Sequence, residues 1–379
     1  MKICAVICEY NPFHKGHQYQ LSEAKRRSGA DAVLCIMSGN FVQRGEAAIM
    51  DKFTRAKHAV LGGADIVIEL PTIFATSNAE LFAKGAISIL SSIPDVTTLC
   101  FGAEMDDKDA FLQTASLLND EPKEISQKIK ELTAEGISYA KARATAWQAL
   151  LPHNLLTSPN NILGVEYARA ILAKNANIDI LPIKRMGNGY NDRELSPTFS
   201  SASAIRAAIS ENKGVDDAVP DFVKADLPHQ LTDKLDCLEK YAILTRNEVE
   251  IASTCDCTEG LENAFKKAAL QDKPLVDSLT STRYTSSRIR RIALQNLLNI
   301  EEKLIRQSLQ APLYLRVLAV NKGSEALSAL SKSCLPILAR AHDEDGLSGV
   351  AKTTYSIDRF AESVYNLLYS PALTHPIFI

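Results

Sequence analysis

No run of apolar residues in this chain approaches the roughly 20 needed to cross a bilayer. The first, Ile3-Cys4-Ala5-Val6-Ile7-Cys8, stops at Glu9, too short for the core of a secretory signal. Neither a membrane protein nor an exported one is expected, and a cytoplasmic location is. Charge of one sign is missing too. Lys and Arg number 42 against 45 Asp and Glu, a net −3, so no global field draws in a polyanion and any nucleic-acid contact must come from a local patch. The eight cysteines make no disulfide framework: Cys4, Cys8, Cys35 and Cys100 sit in apolar strand-like runs. The isolated pair Cys255/Cys257 has no further ligands at metal-binding spacing, so these read as buried thiols and no metal site is expected. Internal repeats and low-complexity tracts are absent as well.

What is present is a chain of 379 residues, 46% hydrophobic and 23% charged, enough for about two globular domains and inconsistent with disorder or a fibrous structure. The first half alternates β-branched apolar runs (Ile3–Cys8, Ala32–Met37, Ile66–Leu70, Thr98–Phe101, Ile178–Ile183) with helical patterns (Gly16–Arg27, Asp51–Leu61, Asn78–Leu90, Asn160–Ala173). That alternation predicts an α/β fold with a parallel sheet covered by helices, ligands binding at the strand C-terminal ends. Between Asn212 and Lys240 acidic residues outnumber Lys, and Pro220 and Pro228 interrupt any helix. The division expected is therefore 1–210 for an α/β domain and 211–379 for a mainly α-helical one, with helical segments at Leu261–Leu270, Ser287–Leu298, Gly323–Leu330 and Ser356–Leu368.

Chemistry concentrates first after the opening strand, in Glu9-Tyr10-Asn11-Pro12-Phe13-His14-Lys15-Gly16-His17. Pro12 favours an extended Asn11, and Gly16 allows close backbone approach where a helix begins. His14 and His17, three apart, share one helical face. Two imidazoles beside free N–H groups suit a triphosphate in transfer, because negative charge grows on the α-phosphate oxygens. A second segment, Ser200-Ser201-Ala202-Ser203-Ala204-Ile205-Arg206, offers hydroxyls at a helix start and, one turn on, the Arg206 fork for a leaving pyrophosphate. Serines there also serve as plain helix caps. Ser203 and Arg206 join His14 and His17 as candidate catalytic residues. The run Met37–Glu46 and Asp51–Arg55 follow the second strand, so Gln43, Arg44 and Arg55 are expected to line the same cleft. Asp51 with Lys52 and Arg55 reads equally as a cap with helix-surface charges.

In the second half, residues 266–291 carry Lys266, Lys267, Lys273, Arg283, Arg288, Arg290 and Arg291 against Asp272 and Asp277. This is the most basic window. It reads either as a solvated face or as a phosphate-binding surface for RNA, with Tyr284 as a stacking ring.

The pattern His-x-Gly-His after a first strand matches the ATP-binding signature of the nucleotidylyltransferase and class I aminoacyl-tRNA synthetase superfamily. With Phe101-Gly102-Ala103-Glu104, Ser158–Gly164, Lys184-Arg185 and Ser281–Arg291, the chain closely resembles the bacterial tRNA(Met) cytidine acetate ligase family over nearly its whole length. The resemblance implies a nucleotidylyltransferase-type, Rossmann-like domain followed by a mainly α-helical, tRNA-contacting one. It implies activation of acetate by ATP to acetyladenylate, with acetyl transfer to the wobble cytidine of elongator tRNA(Met), forming N(4)-acetylcytidine. It places ATP, as a substrate, along Ile7, Cys8, Glu9, Tyr10, Asn11, Pro12, Phe13, His14, Lys15, Gly16, His17, Gln18, Tyr19 and Gln20. Further contacts come from Gly102, from Asn160 or Asn161, and from Arg185. Ala202 departs from related enzymes, which often carry another hydroxyl there. Mg2+ is compatible with such chemistry, but no residues mark its ligands.

The absence of an obvious base agrees with this reading. Acetate is already an anion at neutral pH, so attack on the α-phosphorus needs only alignment and charge neutralisation. The proton acceptor for the cytosine amine is not legible; Glu104 is as readily an orienting group. His58, His153, His229, His342 and His375 read as surface or satisfied histidines. Two other functions share the motifs: a small-molecule adenylyltransferase, disfavoured by some 170 extra residues, and a non-catalytic RNA-binding protein, disfavoured by intact His14, Gly16, His17 and Arg206.

Overall fold

The computed structural model describes residues 1–148, 150–151, 155–185, 200–229, 231–232, 234–370 and 375–379. Among them are ten strands: β1 (Ile3–Cys8), β2 (Ala32–Ser38), β3 (Phe41–Val42), β4 (Glu46–Ala47), β5 (Ile66–Leu70), β6 (Val96–Ala103), β7 (Asp179–Lys184), β8 (Leu315–Val320), β9 (Ile337–Leu338) and β10 (Ile377–Phe378). The main sheet runs β10-β8-β5-β2-β1-β6-β7, with β9 beside β8, while β3 and β4 form a separate hairpin. Strands β5, β2, β1, β6 and β7 pair in parallel.

Such strands are apolar on both faces because helices cover both. On β1, Ile3, Ala5 and Ile7 enter one core, with the helices Ala79–Leu90, Pro159–Lys174 and Gly349–Leu368. Cys4 and Val6 enter the other, against Leu21, Ala24, Phe53, Ala56 and Ile205. The strand order steps outward from β1 to β5 and then crosses back to β6. The crevice between β1 and β6 is therefore the topological switch point, where an open α/β sheet binds its ligand.

Of the expected strands, β1 and β5 match residue for residue, and the helix Lys52–Leu61 starts after its Asp51 cap. The boundary expected at 210 is crossed. After a helical layer (Lys234–Thr245, Glu248–Ala252, Leu261–Ala269, Leu275–Leu279, Ser286–Leu297) around Ile243, Phe265 and Ile289, the chain returns to the sheet. Strand β8 lies antiparallel to β5, and β10 lies parallel to β8. A buried ionic cluster holds the return. Arg316 on β8 pairs with Glu69 on β5 at 3.2 Å and with Glu362 at 2.6 Å, and Lys52 pairs with Glu69 at 2.6 Å.

Candidate active site

At the C-terminal end of β1 the chain makes a buried turn. Tyr10 takes φ +48° with its ring edge-on to Phe13 at 4.9 Å, and His14 becomes the cap of the helix Lys15–Ser28. The two histidines cap that helix reciprocally. His14 Nδ1 accepts from the Gly16 amide at 3.1 Å, and His17 Nδ1 accepts from the His14 amide at 3.3 Å. Their rings stack with centroids 3.6 Å apart.

This is a capping box written in imidazoles, and it settles the tautomer. A ring whose Nδ1 accepts must carry its proton on Nε2, so each leaves one Nε2–H donor. Burial, followed by the Arg185 charge, pushes His14 down to about 3. Burial, His14 and Arg185 hold His17 well below the usual imidazole range. Both are neutral donors near pH 7 when no anion is bound.

A cleft of about 520 Å3 opens here, lined by His14, Gly16, His17, Tyr19, Gln20, Gly102, Ile183, Lys184, Arg185, Ser200 and Ser201. Three chain ends converge on it. Arg185 follows β7, its amide donating to the Ala103 carbonyl at 2.8 Å. Gly102 leaves room between Arg185 Cγ and Gln20 Nε2, which a Cβ would meet at 3.5 and 3.9 Å. Ser201 caps the helix Ala202–Ser210 by accepting from the Ala204 amide at 3.1 Å. The result is a cleft rimmed by two helix N-termini, hydroxyls and two cations, which is a surface for phosphate.

The remaining expected site residues are placed differently. Ile7, Tyr10 and Phe13 are core; Lys15 and Gln18 face solvent. Cys8 and Pro12 shape the turn without lining the cleft. Glu9 accepts from the Gln43 amide at 2.9 Å, and burial raises its carboxyl pKa. Asn11 Oδ1 accepts from the Ile49 amide at 2.9 Å. Glu104 accepts from Ser158 at 2.6 Å and from Asn160 at 2.7 Å, while its amide donates to Asn161 at 2.9 Å. The asparagine pair and Glu104 thus brace one another, and neither asparagine lines the cleft. Arg206 and Ser203 stand behind it. Arg206 donates to the Asn11 carbonyl at 2.7 Å, and its other nitrogen lies 3.5 Å from Ser203 Oγ and 3.8 Å from Glu46.

The expectation that Gln43 and Arg55 line the cleft is not met. Arg55 is fully buried, donating to the carbonyls of Glu9, Ser38, Gly39 and Met50. Gln43 donates to the Ser77 carbonyl at 3.1 Å. Nor are Lys52 and Arg55 surface charges, although Asp51 is a cap. Residue type alone did not distinguish a cation that ties strand ends together from one that awaits a phosphate. His58 is a core histidine whose Nε2 lies 2.8 Å from Asp226, while its buried Nδ1 has no partner among the described residues; His153 lies outside the described residues.

The basic window divides likewise. Lys266 donates to the Leu244 and Arg246 carbonyls, closing a helix end. Arg288 donates to the Asp256 carbonyl at 2.7 and 3.0 Å with its guanidinium over Tyr284. Arg291 is held 3.7 Å from Asp256, and Arg290 pairs with Glu46 at 3.0 Å across to the β3–β4 hairpin. Lys267 and Lys273 are exposed, as is Arg283, which pairs with Glu259 at 2.9 Å.

A family model described as HIGH nucleotidyl transferase matches residues 1–376. The tRNA(Met) cytidine acetate ligase of Thermoanaerobacter sp. is 38% identical, covering 97% of this chain and 96% of its own. Two solved structures of Thermotoga maritima TmcAL match the whole of both chains. The apo form has TM-score 0.90 at 31% identity, and the form bound with alpha-thio ATP has 0.87 at 30%.

Proposed function

The chain belongs to the tRNA(Met) cytidine acetate ligase family of HIGH nucleotidyl transferases, and from that premise we propose how its cleft performs the reaction. The enzyme acetylates tRNA cytidine at the expense of ATP. In the first step an acetate oxygen attacks the α-phosphorus, the bond to the bridging oxygen of pyrophosphate breaks, and acetyladenylate forms. In the second, the exocyclic amine of the wobble cytidine attacks the acyl carbon, the acyl–oxygen bond breaks, and AMP leaves with N(4)-acetylcytidine formed; the amine gives up one proton.

One observation carries the assignment: the paired histidine cap at the switch point between β1 and β6. It supplies two neutral Nε2–H donors at a helix start, where charge grows on the α-phosphate. Because both are neutral before binding, they neutralise the triphosphate through hydrogen bonds, with Arg185 and Lys184 supplying formal positive charge. Ser200 and Ser201 complete the rim; Arg206, with Ser203 against its other nitrogen, holds the Asn11 carbonyl and so the turn that presents His14. Among the described residues no three His, Cys, Asp or Glu side chains gather as a metal site; Mg2+ bound together with ATP would add to the positive charge of Arg185 and Lys184. Among the described residues no helix is long and apolar enough to cross a membrane, and the enzyme acts where tRNA and ATP are, in the cytoplasm.

The test incubates purified protein with labelled acetate, ATP and total tRNA. Label is expected in N(4)-acetylcytidine of elongator tRNA(Met), with AMP and pyrophosphate released in equal amounts. Label in another nucleoside, or ATP-independent transfer, would refute the proposal.

A further inference from the structure

A second cleft, of about 470 Å3, lies where the hairpin meets the helical layer. Its walls are apolar, formed by Leu235, Pro274, Leu275 and Ile289, and Glu239 lines it. Glu239 is only 6% exposed, and its Oε1 has no hydrogen-bond partner among the described residues. The polar groups beside it are engaged elsewhere. Asp236 accepts from the Leu275 amide at 2.7 Å and pairs with Lys240 at 3.1 Å, while Arg290 pairs with Glu46.

Leaving a buried carboxyl unpaired is costly, and a leucine would pack as well without that cost. Burial next to Asp236 also raises the Glu239 pKa well above the ordinary carboxylate range, which favours the protonated form. A protonated carboxyl presents one donor and one acceptor side by side. That is the complement of a nucleobase's Watson–Crick edge, and apolar walls suit the faces of a base splayed out of a loop.

We propose that this cleft receives an unstacked base of the tRNA anticodon loop flanking the target cytidine, with the Glu239 carboxyl paired to its Watson–Crick edge. The target cytidine itself is excluded, because its amine must remain free to attack the acyl group. The inference rests on the tRNA reading above. Position supports it. Glu46 borders the cleft and lies 3.8 Å from Arg206, which in turn holds the Asn11 carbonyl beside the histidine cap. Gly45 at φ +74° lets the hairpin touch the helix Ser286–Leu297, since a Cβ there would come within 2.5 Å of the Arg290 backbone. The flanking-base cleft and the ATP cleft are thus joined by one short chain of contacts.

The experiment compares the full-length wild type with Glu239→Leu and Glu239→Gln. It measures acetylation of tRNA and, separately, tRNA-independent, acetate-dependent exchange of pyrophosphate into ATP. The Leu variant is expected to lose about ten- to a hundredfold in kcat/KM for tRNA, the worth of one paired base, with exchange unchanged. The Gln variant, which keeps a donor and an acceptor, should retain most activity. Anticodon stem-loops altered at single flanking bases should be discriminated by the wild type and no longer, at one position, by the Leu variant. Undiminished tRNA acetylation by Glu239→Leu, equal losses in both variants, or a parallel fall in exchange would overturn the inference. Failure of the wild type to acetylate tRNA would instead strike the functional reading on which it rests.

Discussion

His14 and His17 cap their helix and in the proposed mechanism also serve as phosphate donors, and substitution can separate the two roles. Asn is a good helix cap and Gln closes a capping box from its third position. His14→Asn and His17→Gln should therefore keep the helix start while removing the Nε2–H donors. Acetate-dependent pyrophosphate exchange is expected to fall about a hundredfold for each, the worth of one preorganised donor, with circular dichroism unchanged. Near-normal exchange would remove the rings from the mechanism. The same pair sets a pH dependence. Folded-state values lie below the unfolded value of about 6.5, so the unfolded chain takes up protons first. Stability should fall as pH drops below about 6.5, by at most about 1.4 kcal/mol per unit for each ring. Urea titrations between pH 7 and pH 5 should show this slope in the wild type and a shallower one in the double variant.

The helix Ala202–Ser210 and the strand β8 show what single elements contribute. Arg206 ties its helix to the Asn11 carbonyl, so Arg206→Ala loosens the turn that carries His14. Adenylate formation should suffer while transfer from supplied acetyladenylate survives better. Equal losses in the two assays would place Arg206 in the tRNA step or in the fold. On β8, Arg316 neutralises Glu69 and Glu362, both poorly hydrated. Arg316→Met leaves those carboxylates short of a cation and should destabilise by about 3 kcal/mol, read from the urea midpoint. A midpoint unmoved would mean that Lys52 alone suffices. The six-residue strand β8, apolar apart from Arg316, could not be assigned from sequence, since so short a run reads as strand or buried helix alike.

Across the molecule, the helical layer is joined to the β3–β4 hairpin through Glu46–Arg290, and to the end of the helix Thr72–Ala75 through Gln295, which donates to the Thr76 carbonyl at 2.8 Å. RNA affinity should accordingly be probed where cations face solvent. Replacing Lys267, Lys273 and Arg283 with Ala should weaken tRNA binding and flatten its salt dependence, since each lost phosphate contact removes counterion release. ATP binding should not change. An unaltered salt slope would make this face ordinary solvated surface. Arg288→Ala is the contrasting case: it should lower the melting temperature, because its guanidinium holds the Asp256 carbonyl.

The amino-acid order alone determined the β/α alternation, the helix starts at Asp51 and Asn78, and the histidine motif with its serine-rich counterpart, because these depend on local periodicity, capping chemistry and spacing. Burial and partners are not local, and there the tertiary structure decided. Arg55, Lys52 and Arg316 look like surface or ligand-seeking cations until the sheet surrounds them with carbonyls and carboxylates. Half of the basic window turns out to hold the helical layer together. The crossing of the 210 boundary by β8 and β10 arises from pairing between residues about 250 apart, which no window of sequence contains. Glu239 became noticeable only when folding buried it without a partner.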